Sequence, residues 1–528
     1  MRLIMDEHFV LSVIKQLIVM VIVNKFMSKP LSIKINQFFN GIEDDIRKLS
    51  TNGFQITKHF DVFSNPQRLT PYRSLEADTE TAISATDLKQ YYVKDFLYAS
   101  ASAKLYGLGQ TGAGLTKILQ KADATTGLWT TPASSEGNGA VKNGCFVEFK
   151  DYAWGFQGTN QIFKWGLLSG TPSITNSVST VASTITSVAN GIIAADGNLY
   201  LAYNNVVVRV ATDTTTVTDS AKTVPTNYKI TSLTNYGSYL AIGCSPVSTF
   251  NGQSKVFIWN LSSDLFQETI DWGEGELRIL ENVEGMLVGI TDRYLNNETG
   301  AGKGSMIVQV YSGGAAQVIK EIFTQKLTGK TIPLSKTVKN NRLFWAAKIM
   351  TNSAGTTYDE GIWSFGRKNV NYPWSLTLDI IDENIDTDGI QGFGTAANYF
   401  FIAHSNDGSV DKTNDAATYA FTSIYESQIF DFGDATITKK ITQLTIYTAP
   451  LPTSSSMTLK IKVDNDTSWT TVGTLTTDNA ISRDFYNIES SGVDFPTFKE
   501  LKIRLESVTG GGEYTGFKMI VVPLLGSN

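Results

Sequence analysis

A short hairpin pattern recurs about seven times along this chain and limits its fold more than any other feature. A turn residue leads into a short apolar or aromatic strand, a polar loop follows, and a second strand often ends in an aromatic side chain. The copies begin about every 40 to 57 residues, a period typical of propeller blades or β-arrays and not of helical solenoids. Such a unit cannot bury its own faces, so the copies must pack together as a ring or stack. The opening motifs are Asp95-Phe96-Leu97-Tyr98, Asp151-Tyr152-Ala153-Trp154, Gly197-Asn198-Leu199-Tyr200, Gly237-Ser238-Tyr239-Leu240, Glu284-Gly285-Met286-Leu287, Asn341-Arg342-Leu343-Phe344 and Ala397-Asn398-Tyr399-Phe400.

The hairpins predict an all-β protein with a β-propeller of about seven blades. Six or eight blades stay open as alternatives, because the first and last units are the hardest to delimit. An aromatic pattern recurs in the second strand of several hairpins, at 162–165, 256–259 and 362–365. Large aromatic side chains at equivalent places favour contacts between twisted neighbouring sheets.

The hairpin rhythm ends near Phe421. Beyond it, five or more short alternating strands follow within about a hundred residues, separated by turn sequences such as 450–452 and 510–512, and they predict an antiparallel β-sandwich. We therefore expect three regions. They are an N-terminal apolar segment with a lead-in and docking region at 1–80, a β-propeller at 81–420 and a C-terminal β-sandwich at 421–528.

Charge and cysteine content exclude some classes of protein. Charged residues make up 18% of the chain, below the usual quarter, and the net charge is -6. Tracking a nucleic-acid backbone needs clustered Lys and Arg, so we expect no nucleic-acid partner. The two cysteines, Cys145 and Cys244, are too far apart to indicate a zinc site or a disulfide framework, and we predict that both are small core residues.

The first residues are the one membrane-like feature. The stretch from Phe9 to Val23 is almost entirely apolar, but it is short and contains Lys15, so a membrane span is not favoured. Translation from Met27, or a packed helix, explains the stretch better, and a membrane anchor stays as the alternative. We expect the region up to about Phe63 to dock onto a neighbouring subunit.

A glycine-rich segment, Gly107-Leu108-Gly109-Gln110-Thr111-Gly112, matches the spacing of the dinucleotide-binding fingerprint. That fingerprint works only inside a parallel βαβ unit, and this chain shows no alternation of strands and helices. We predict an exposed hairpin tip instead.

One acidic segment resembles the beginning of a calcium loop. Asp386 and Asp388 place oxygen ligands at alternate positions after Asn384, and Gly389 takes the sixth place. The twelfth position is Thr395 where a bidentate glutamate is expected. A solvated turn is therefore the prediction, and a weak metal site near Asp386 and Asp388 stays open.

The sequence assigns no catalytic, cofactor-binding or metal-binding residues, and no cofactor. His8, His59 and His404 are too scattered to indicate a triad, and no nucleophile elbow is present. We therefore predict a protein that is not an enzyme. A glycan-hydrolysing propeller with paired carboxylates and a lectin-like propeller with repeated pockets are the alternatives.

Three segments carry a resemblance to a known group of proteins. The segment 421–434 contains Tyr425-Glu426 followed by Phe430-Asp431-Phe432-Gly433, and Ser468 to Thr474 follows later. The segment Asn65 to Asp78 contains Pro66, Arg68, Leu69 and Arg73. Together these residues resemble structural proteins of tailed bacteriophages, in which a β-sandwich follows a β-rich, often propeller-like body.

The resemblance implies a virion structural protein of the tail, fibre or decoration type, which acts in particle assembly and in host attachment. Its implied partners are other virion structural proteins and a host-surface glycan. We also expect a homo-oligomer, because the chain has few charged residues and the exposed sheet edges of the sandwich can pair with another chain. Its implied location is the virion, after assembly in the bacterial host cytoplasm. A glycan-binding or glycan-hydrolysing propeller protein stays as the alternative function.

Overall fold

All regular structure among the described residues of the computed structural model is β-strand, which confirms the all-β prediction. The structure describes residues 30–38, 41, 53–73, 75–78, 93–99, 102–121, 127–247, 252–294, 304–324, 331–351, 358–381, 390–404, 410–413, 422–486 and 495–524. None of these residues belongs to a helix that could cross a membrane. The apolar stretch from Phe9 to Val23 lies outside them.

The described parts of the chain contain forty strands. Those before the first large sheet are β1 (Leu31–Ile35), β2 (Phe54–Lys58), β3 (Phe60–Asp61), β4 (Thr70–Pro71) and β5 (Leu75–Ala77). The next are β6 (Asp95–Ala99), β7 (Lys104–Gln110), β8 (Leu115–Lys121), β9 (Trp129–Thr130), β10 (Glu136–Phe149), β11 (Tyr152–Gln157), β12 (Gln161–Gly166), β13 (Ser173–Thr180), β14 (Val188–Ile193), β15 (Leu199–Tyr203), β16 (Val206–Val210), β17 (Val217–Thr223), β18 (Tyr228–Tyr236), β19 (Tyr239–Pro246), β20 (Gln253–Trp259), β21 (Glu268–Glu274), β22 (Glu276–Val283), β23 (Met286–Tyr294), β24 (Gly304–Tyr311), β25 (Gln317–Thr324), β26 (Thr331–Lys339), β27 (Arg342–Thr351), β28 (Tyr358–Gly366), β29 (Ser375–Ile381), β30 (Ile390–Ala396), β31 (Tyr399–His404) and β32 (Val410–Thr413). The last are β33 (Ser423–Ser427), β34 (Lys439–Thr448), β35 (Ser456–Val463), β36 (Thr470–Leu475), β37 (Ser482–Tyr486), β38 (Thr497–Phe498), β39 (Leu501–Thr509) and β40 (Tyr514–Pro523).

Antiparallel sheets follow one another around a closed ring. β14–β17, β18–β21, β22–β25 and β26–β29 are four-stranded sheets, a further one has the order β30-β31-β32-β5, and β6 to β13 form one eight-stranded sheet. Each antiparallel group of strands begins with one strand near the centre of the ring, and these first strands lie beside one another in the order β6, β10, β14, β18, β22, β26 and β30. The last of them, β30, also lies beside β6. This closure defines a β-propeller and excludes a linear stack. The count of about seven blades stays a prediction, because β10 joins two strand groups into one sheet.

Left-handed turns explain why the opening motif recurs. Six of its seven copies begin the second strand of a group, at β11, β15, β19, β23, β27 and β31. The preceding hairpin turn needs positive φ, as at Gly285 (φ 80°) and Asn341 (φ 60°), which favours glycine and asparagine. The copy at Asp95 is the exception, because it begins the first strand β6 and the equivalent turn lies at Ala103 (φ 53°).

The recurring aromatic residues lie between neighbouring groups of strands, and at Trp259 the contact joins two separate sheets, as predicted. The indole of Trp165 on β12 meets Tyr106 of β7 edge to face, with ring centroids 5.0 Å apart. Trp259 on β20 meets Tyr200 of β15 in the same way at 5.8 Å. Such contacts bury large areas and hold adjacent blades together.

The C-terminal strands form two sheets around one hydrophobic core. One sheet has the order β1-β40-β34-β37, with β38 on β34, and the other has the order β2-β33-β39-β35-β36. The core between them includes Phe38, Phe54, Tyr425 and Phe517. The strands β1 and β2 therefore complete these two sheets, and β5 completes the last propeller sheet. Strands of the predicted docking region thus pair both with the propeller and with the C-terminal sheets. The domain boundaries near residues 80 and 420 stay predictions.

A buried ion pair holds the point where the ring closes. The backbone N–H of Asp78 donates to Val410 O at 2.8 Å. The carboxylate of Asp78 accepts bonds from Lys121 Nζ at 3.0 and 3.1 Å and from the Trp129 indole at 2.8 Å. Lys412 Nζ lies 3.4 Å from it. We call Asp78, Lys121, Trp129 and Lys412 the closure latch, because they join the first and last propeller groups.

Candidate functional site

A pocket of about 430 Å³ opens where the lead-in segment, residues 53–78, crosses two neighbouring propeller groups. Its walls come from five places: the lead-in segment, the β26–β27 hairpin, the β28–β29 loop, the β30–β31 hairpin and the end of β32. We call it the junction pocket. Its charged lining residues are Asp61, Arg73, Lys339, Arg342, Arg367 and Lys368, and its aromatic ones are Phe63, Tyr72, Phe344, Tyr399 and Phe400.

The lead-in wall is fixed by its own turn and by the C-terminal sheets. Asp61 Oδ1 accepts hydrogen bonds from the backbone N–H groups of Phe63 at 2.8 Å and Ser64 at 3.1 Å, which closes an Asx turn. Further along, Arg68 pairs with Glu513 at 2.9 Å. The wall therefore has a defined position relative to the propeller and to β40.

Arg342 forms the floor of the junction pocket. Its guanidinium donates to the Asp379 carboxylate, to Ser364 Oγ at 2.6 Å and to the Tyr72 hydroxyl at 3.3 Å. It also lies 3.3 Å from the Asp61 carboxylate. Two carboxylates thus compensate one cation, and the bond to Asp61 ties the lead-in segment to β27.

Burial and aromatic contacts keep this floor rigid. The Arg342 guanidinium lies 3.7 Å from the ring centroid of Phe63 and 4.6 Å from that of Phe344, which adds cation–π contacts on both sides. Burial raises the pKa of Asp379, and the charge of Arg342 only partly offsets that rise. Burial likewise raises the pKa of Tyr72 well above its usual range. The hydroxyl of Tyr72 therefore stays protonated and can donate to Asp379.

Two lysines at the rim carry positive charge that no described carboxylate neutralises. Lys339 Nζ donates only to neutral oxygens, the Ala397 carbonyl at 3.3 Å and Asn398 Oδ1 at 3.4 Å. Lys368 Nζ donates to the Ser64 carbonyl at 3.1 Å. Partial burial lowers the pKa of Lys339, which shows that this ammonium is poorly solvated. The rim can therefore bind an anionic group.

The neighbouring Arg367 has a different environment. Its guanidinium pairs with the Glu284 carboxylate at 2.7 Å and lies 4.8 Å from the Trp374 ring centroid. Because Glu284 neutralises it, Arg367 adds little net positive charge to the rim, and its contacts hold the β28–β29 loop in place. Asn340 and Asn398 supply neutral hydrogen-bonding groups on the same side.

The sequence did not single out this pocket, although one signal was present. Arg342 is the first residue of β27, where the equivalent second strands β11, β15, β19, β23 and β31 begin with Tyr152, Leu199, Tyr239, Met286 and Tyr399. A charged residue at an otherwise apolar or aromatic position marks a local function.

The predicted motifs lie elsewhere. Asp386 and Asp388 fall outside the described residues, as does His8. His59 is buried at a positive φ of 58°, and His404 Nε2 lies 3.2 Å from Asp411 Oδ2 inside the last propeller sheet. Among the described residues no group of three or more acidic, histidine or cysteine side chains could hold a metal ion.

The glycine-rich segment is not a hairpin tip as a whole. Gly107 and Gly109 lie inside β7, and only Gly112 belongs to the turn before β8. A Cβ on Gly107 would lie 3.3 Å from Val93 and 3.4 Å from Trp129, so close packing explains this glycine. The prediction of an exposed tip is therefore wrong for the first two glycines.

Both cysteines are buried core residues, as predicted. Cys145 and Cys244 are fully covered, and burial raises the pKa of each thiol above its usual value. Neither thiol is accessible for chemistry.

No protein-family profile and no curated protein sequence matches this chain. Solved structures similar to it include a streptogramin B lyase, with a TM-score of 0.41 and 11% identity over 65% of this chain and 98% of that chain. The N-terminal domain of Nup159 matches with a TM-score of 0.39 and 10% identity over 71% and 98%. A glycoside hydrolase matches with a TM-score of 0.28 and 10% identity over 82% and 98%. At such identities neither activity transfers to this chain, and its class, a β-propeller protein, rests on the closed ring of sheets.

Proposed function

We propose that this protein is a structural component of a tailed-bacteriophage particle that acts in assembly and in attachment to the host surface. The observation that carries the proposal is where the residues of the resemblance lie. Several of them, in the segments 65–78 and 421–434, lie at contacts between the lead-in segment, the C-terminal sheets and the propeller. Residues that hold the parts of a molecule together favour a structural role.

Tyr425 illustrates this placement. Its ring is buried between the two C-terminal sheets and meets Phe38 at 5.3 Å and Phe54 at 5.8 Å, both edge to face. The N-terminal residues are thereby anchored in the C-terminal core. A few residues later, Phe432 and Gly433 take positive φ in a turn whose Gly433 N–H donates to Asp431 Oδ1 at 2.8 Å.

The second segment of the resemblance makes further joints. Leu69 and Tyr514 exchange two backbone hydrogen bonds, at 2.8 and 3.2 Å. Arg68 binds Glu513, and Asp78 holds the closure latch. The lead-in segment is therefore bonded to both the C-terminal sheets and the propeller, which suits a subunit that must keep its shape inside a particle.

The partners and location follow as parts of the same proposal. Other virion structural proteins and further copies of this chain are its neighbours, and the virion is its location. The proposal includes no catalytic step, because Asp61 and Asp379, the acidic residues nearest the junction pocket, are both bonded to Arg342.

Mass spectrometry and immunogold labelling of purified particles test the proposal. We expect the chain at a fixed ratio to the major structural proteins after gradient purification, with gold particles on the tail or on the particle surface. Recovery of the chain only in the soluble lysate, with particles complete without it, contradicts the proposal.

A glycan-binding propeller is the second candidate, and the junction pocket favours it. This pocket combines cations, amide groups and aromatic walls, a set that also suits host-surface attachment.

A further inference from the structure

We propose that the junction pocket binds one acidic sugar, with the sugar carboxylate between Lys339 and Lys368. Such binding would serve the attachment to the host surface proposed above, and its biological meaning rests on that proposed function. Assembly into particles and binding of a small ligand are separate measurements, so either can fail alone.

The charge of the junction pocket favours an anionic ligand. Among the described residues, the ammonium groups of Lys339 and Lys368 donate only to neutral oxygens, at 3.1 to 3.4 Å, and Lys339 Nζ also lies 5.9 Å from the ring centroid of Phe400. In contrast, the Asp379 and Asp61 carboxylates balance Arg342 beneath them, and Glu284 balances Arg367. An anion that enters the pocket therefore meets two uncompensated cations above a floor whose charge is already satisfied.

The geometry of the lysines also favours binding. Lys339 lies at the end of β26 and Lys368 in the loop after β28, so two different segments of one blade supply the charges. Lys339 Nζ donates to the Ala397 carbonyl and to Asn398 Oδ1 in the β30–β31 turn, and Lys368 Nζ donates to the Ser64 carbonyl of the lead-in segment. Lysines held in this way lose little side-chain freedom when a ligand arrives, which favours binding.

The remaining chemistry of the pocket suits a sugar. A volume of about 430 Å³ has room for one or two sugar rings, and the lining is about equally polar and apolar. The amides of Asn340 and Asn398 and the hydroxyl of Thr413 can exchange hydrogen bonds with ring hydroxyls. A bare inorganic anion would use the two lysines and leave these groups and the aromatic walls without a role.

Isothermal titration calorimetry on the full chain tests this assignment. The probes are D-glucuronate and N-acetylneuraminate, with glucose as the neutral counterpart and inorganic phosphate as the bare anion. We expect an acidic sugar to bind at least about tenfold more tightly than glucose, because only the acidic sugar makes charge-assisted contacts with the lysines. We expect a preference of similar size over phosphate, because only the sugar adds hydrogen bonds from its ring hydroxyls and contacts with the aromatic walls.

Variants locate the binding. Lys339→Met and Lys368→Met should each weaken binding of the acidic sugar about tenfold, and Lys368→Arg should restore most of it. The matched control is Lys104→Met with Lys255→Met, which removes two positive charges elsewhere on the propeller. Thermal unfolding of each variant checks that the fold is intact, which is expected because Lys368 is exposed and Lys339 half-buried.

Three results overturn the inference. They are the absence of acidic-sugar binding at millimolar concentration, equal affinity for phosphate, and acidic-sugar binding that the two pocket variants leave unchanged. Normal incorporation of a Lys339→Met variant into particles is compatible with the inference and separates it from the assembly role.

Discussion

The lead-in segment is held to the C-terminal sheets by apolar contacts and to the propeller by a buried ion pair. In the C-terminal sheets it contributes apolar side chains, because Phe54 and Phe60 are fully buried in a single core. In the propeller it contributes the charge of Asp78, which is buried against Lys121 and Lys412. Apolar closure is tolerant of small changes in shape, whereas a buried ion pair demands both partners.

The difference follows from how each core is organised. The propeller buries its side chains in several separate clusters between neighbouring sheets, so each contact holds only two blades. The C-terminal sheets share one continuous cluster. The ring therefore needs a directional bond at its closing point, while the C-terminal part needs only a good fit.

The largest expected effect is at the closure latch. Asp78→Ala would remove the carboxylate that pairs with the fully buried Lys121 ammonium, and we expect a loss of about 3 to 5 kcal/mol in unfolding free energy. Chemical denaturation measures the loss, and hydrogen exchange should show that β5, β8 and β9 open first.

Asp271→Ala is the matched control for the latch. It removes a carboxylate that pairs with Lys255 at 3.0 Å on the surface of the propeller, where a pair is worth less than about 1 kcal/mol. Equal losses in the two variants would mean that the latch does not hold the ring.

A smaller effect is expected at Asp95, on the first strand of the ring. Burial raises the pKa of this carboxyl to about 7, and its oxygen accepts a bond from Phe96 N–H at 2.9 Å. The folded state binds more protons than the unfolded state between about pH 4 and 7. Stability should therefore fall as the pH rises through this window, and Asp95→Asn should remove the fall and stabilise the protein at pH 8 by on the order of 2 kcal/mol.

Denaturation curves at pH 5, 6, 7 and 8 measure the slope for Asp95. The control is Asp213→Asn, because hydrogen bonds from Thr216 and Thr215 lower the pKa of the exposed Asp213 carboxyl. That variant should leave the slope between pH 5 and 8 unchanged. An unchanged slope in Asp95→Asn as well would assign the pH dependence to other groups.

The smallest expected effect lies in the C-terminal core. The buried Tyr514 hydroxyl contacts the carbonyls of Glu506 at 2.8 Å and Thr458 at 3.0 Å. Tyr514→Phe keeps the ring and its packing, so we expect a loss of only about 1 kcal/mol. Thermal or urea unfolding measures it.

Tyr486→Phe serves as the reference for Tyr514. Its exposed hydroxyl bonds Asp484 at 3.2 Å, and its removal should change the unfolding free energy by less than about 0.5 kcal/mol. If Tyr514→Phe lowered the unfolding free energy as much as Asp78→Ala, the C-terminal core would depend on polar bonds as strongly as the propeller does. The distinction between an apolar and a polar contact of the lead-in segment would then be wrong.

Much of the fold could be predicted from the sequence, because local chemistry repeats. Turn residues with left-handed backbone, such as Gly197 and Gly237, mark the second strands, and Trp165 and Trp259 mark the contacts between neighbouring groups of strands. The role of Leu75–Ala77 could not be predicted, because its partner β32 lies far along the chain and no local pattern links them.

The junction pocket escaped prediction for the same reason. Asp61 and Arg342 meet only because the lead-in segment crosses the ring. Each residue alone reads as an ordinary charged residue near a turn. A sequence pattern reports neighbours along the chain, and this site consists of neighbours in space.

The register of β1 also has a consequence for synthesis. Leu31 pairs with Val521, so this strand is made among the first and its partner among the last. At about 5 to 20 residues per second, the strands of the propeller ring are complete roughly 5 to 20 seconds before β40 leaves the ribosome. During that interval the apolar side chains of Ile35 and Phe38 have no core to enter. Until β40 is made, β1 therefore stays without the strand that it pairs with in the folded protein.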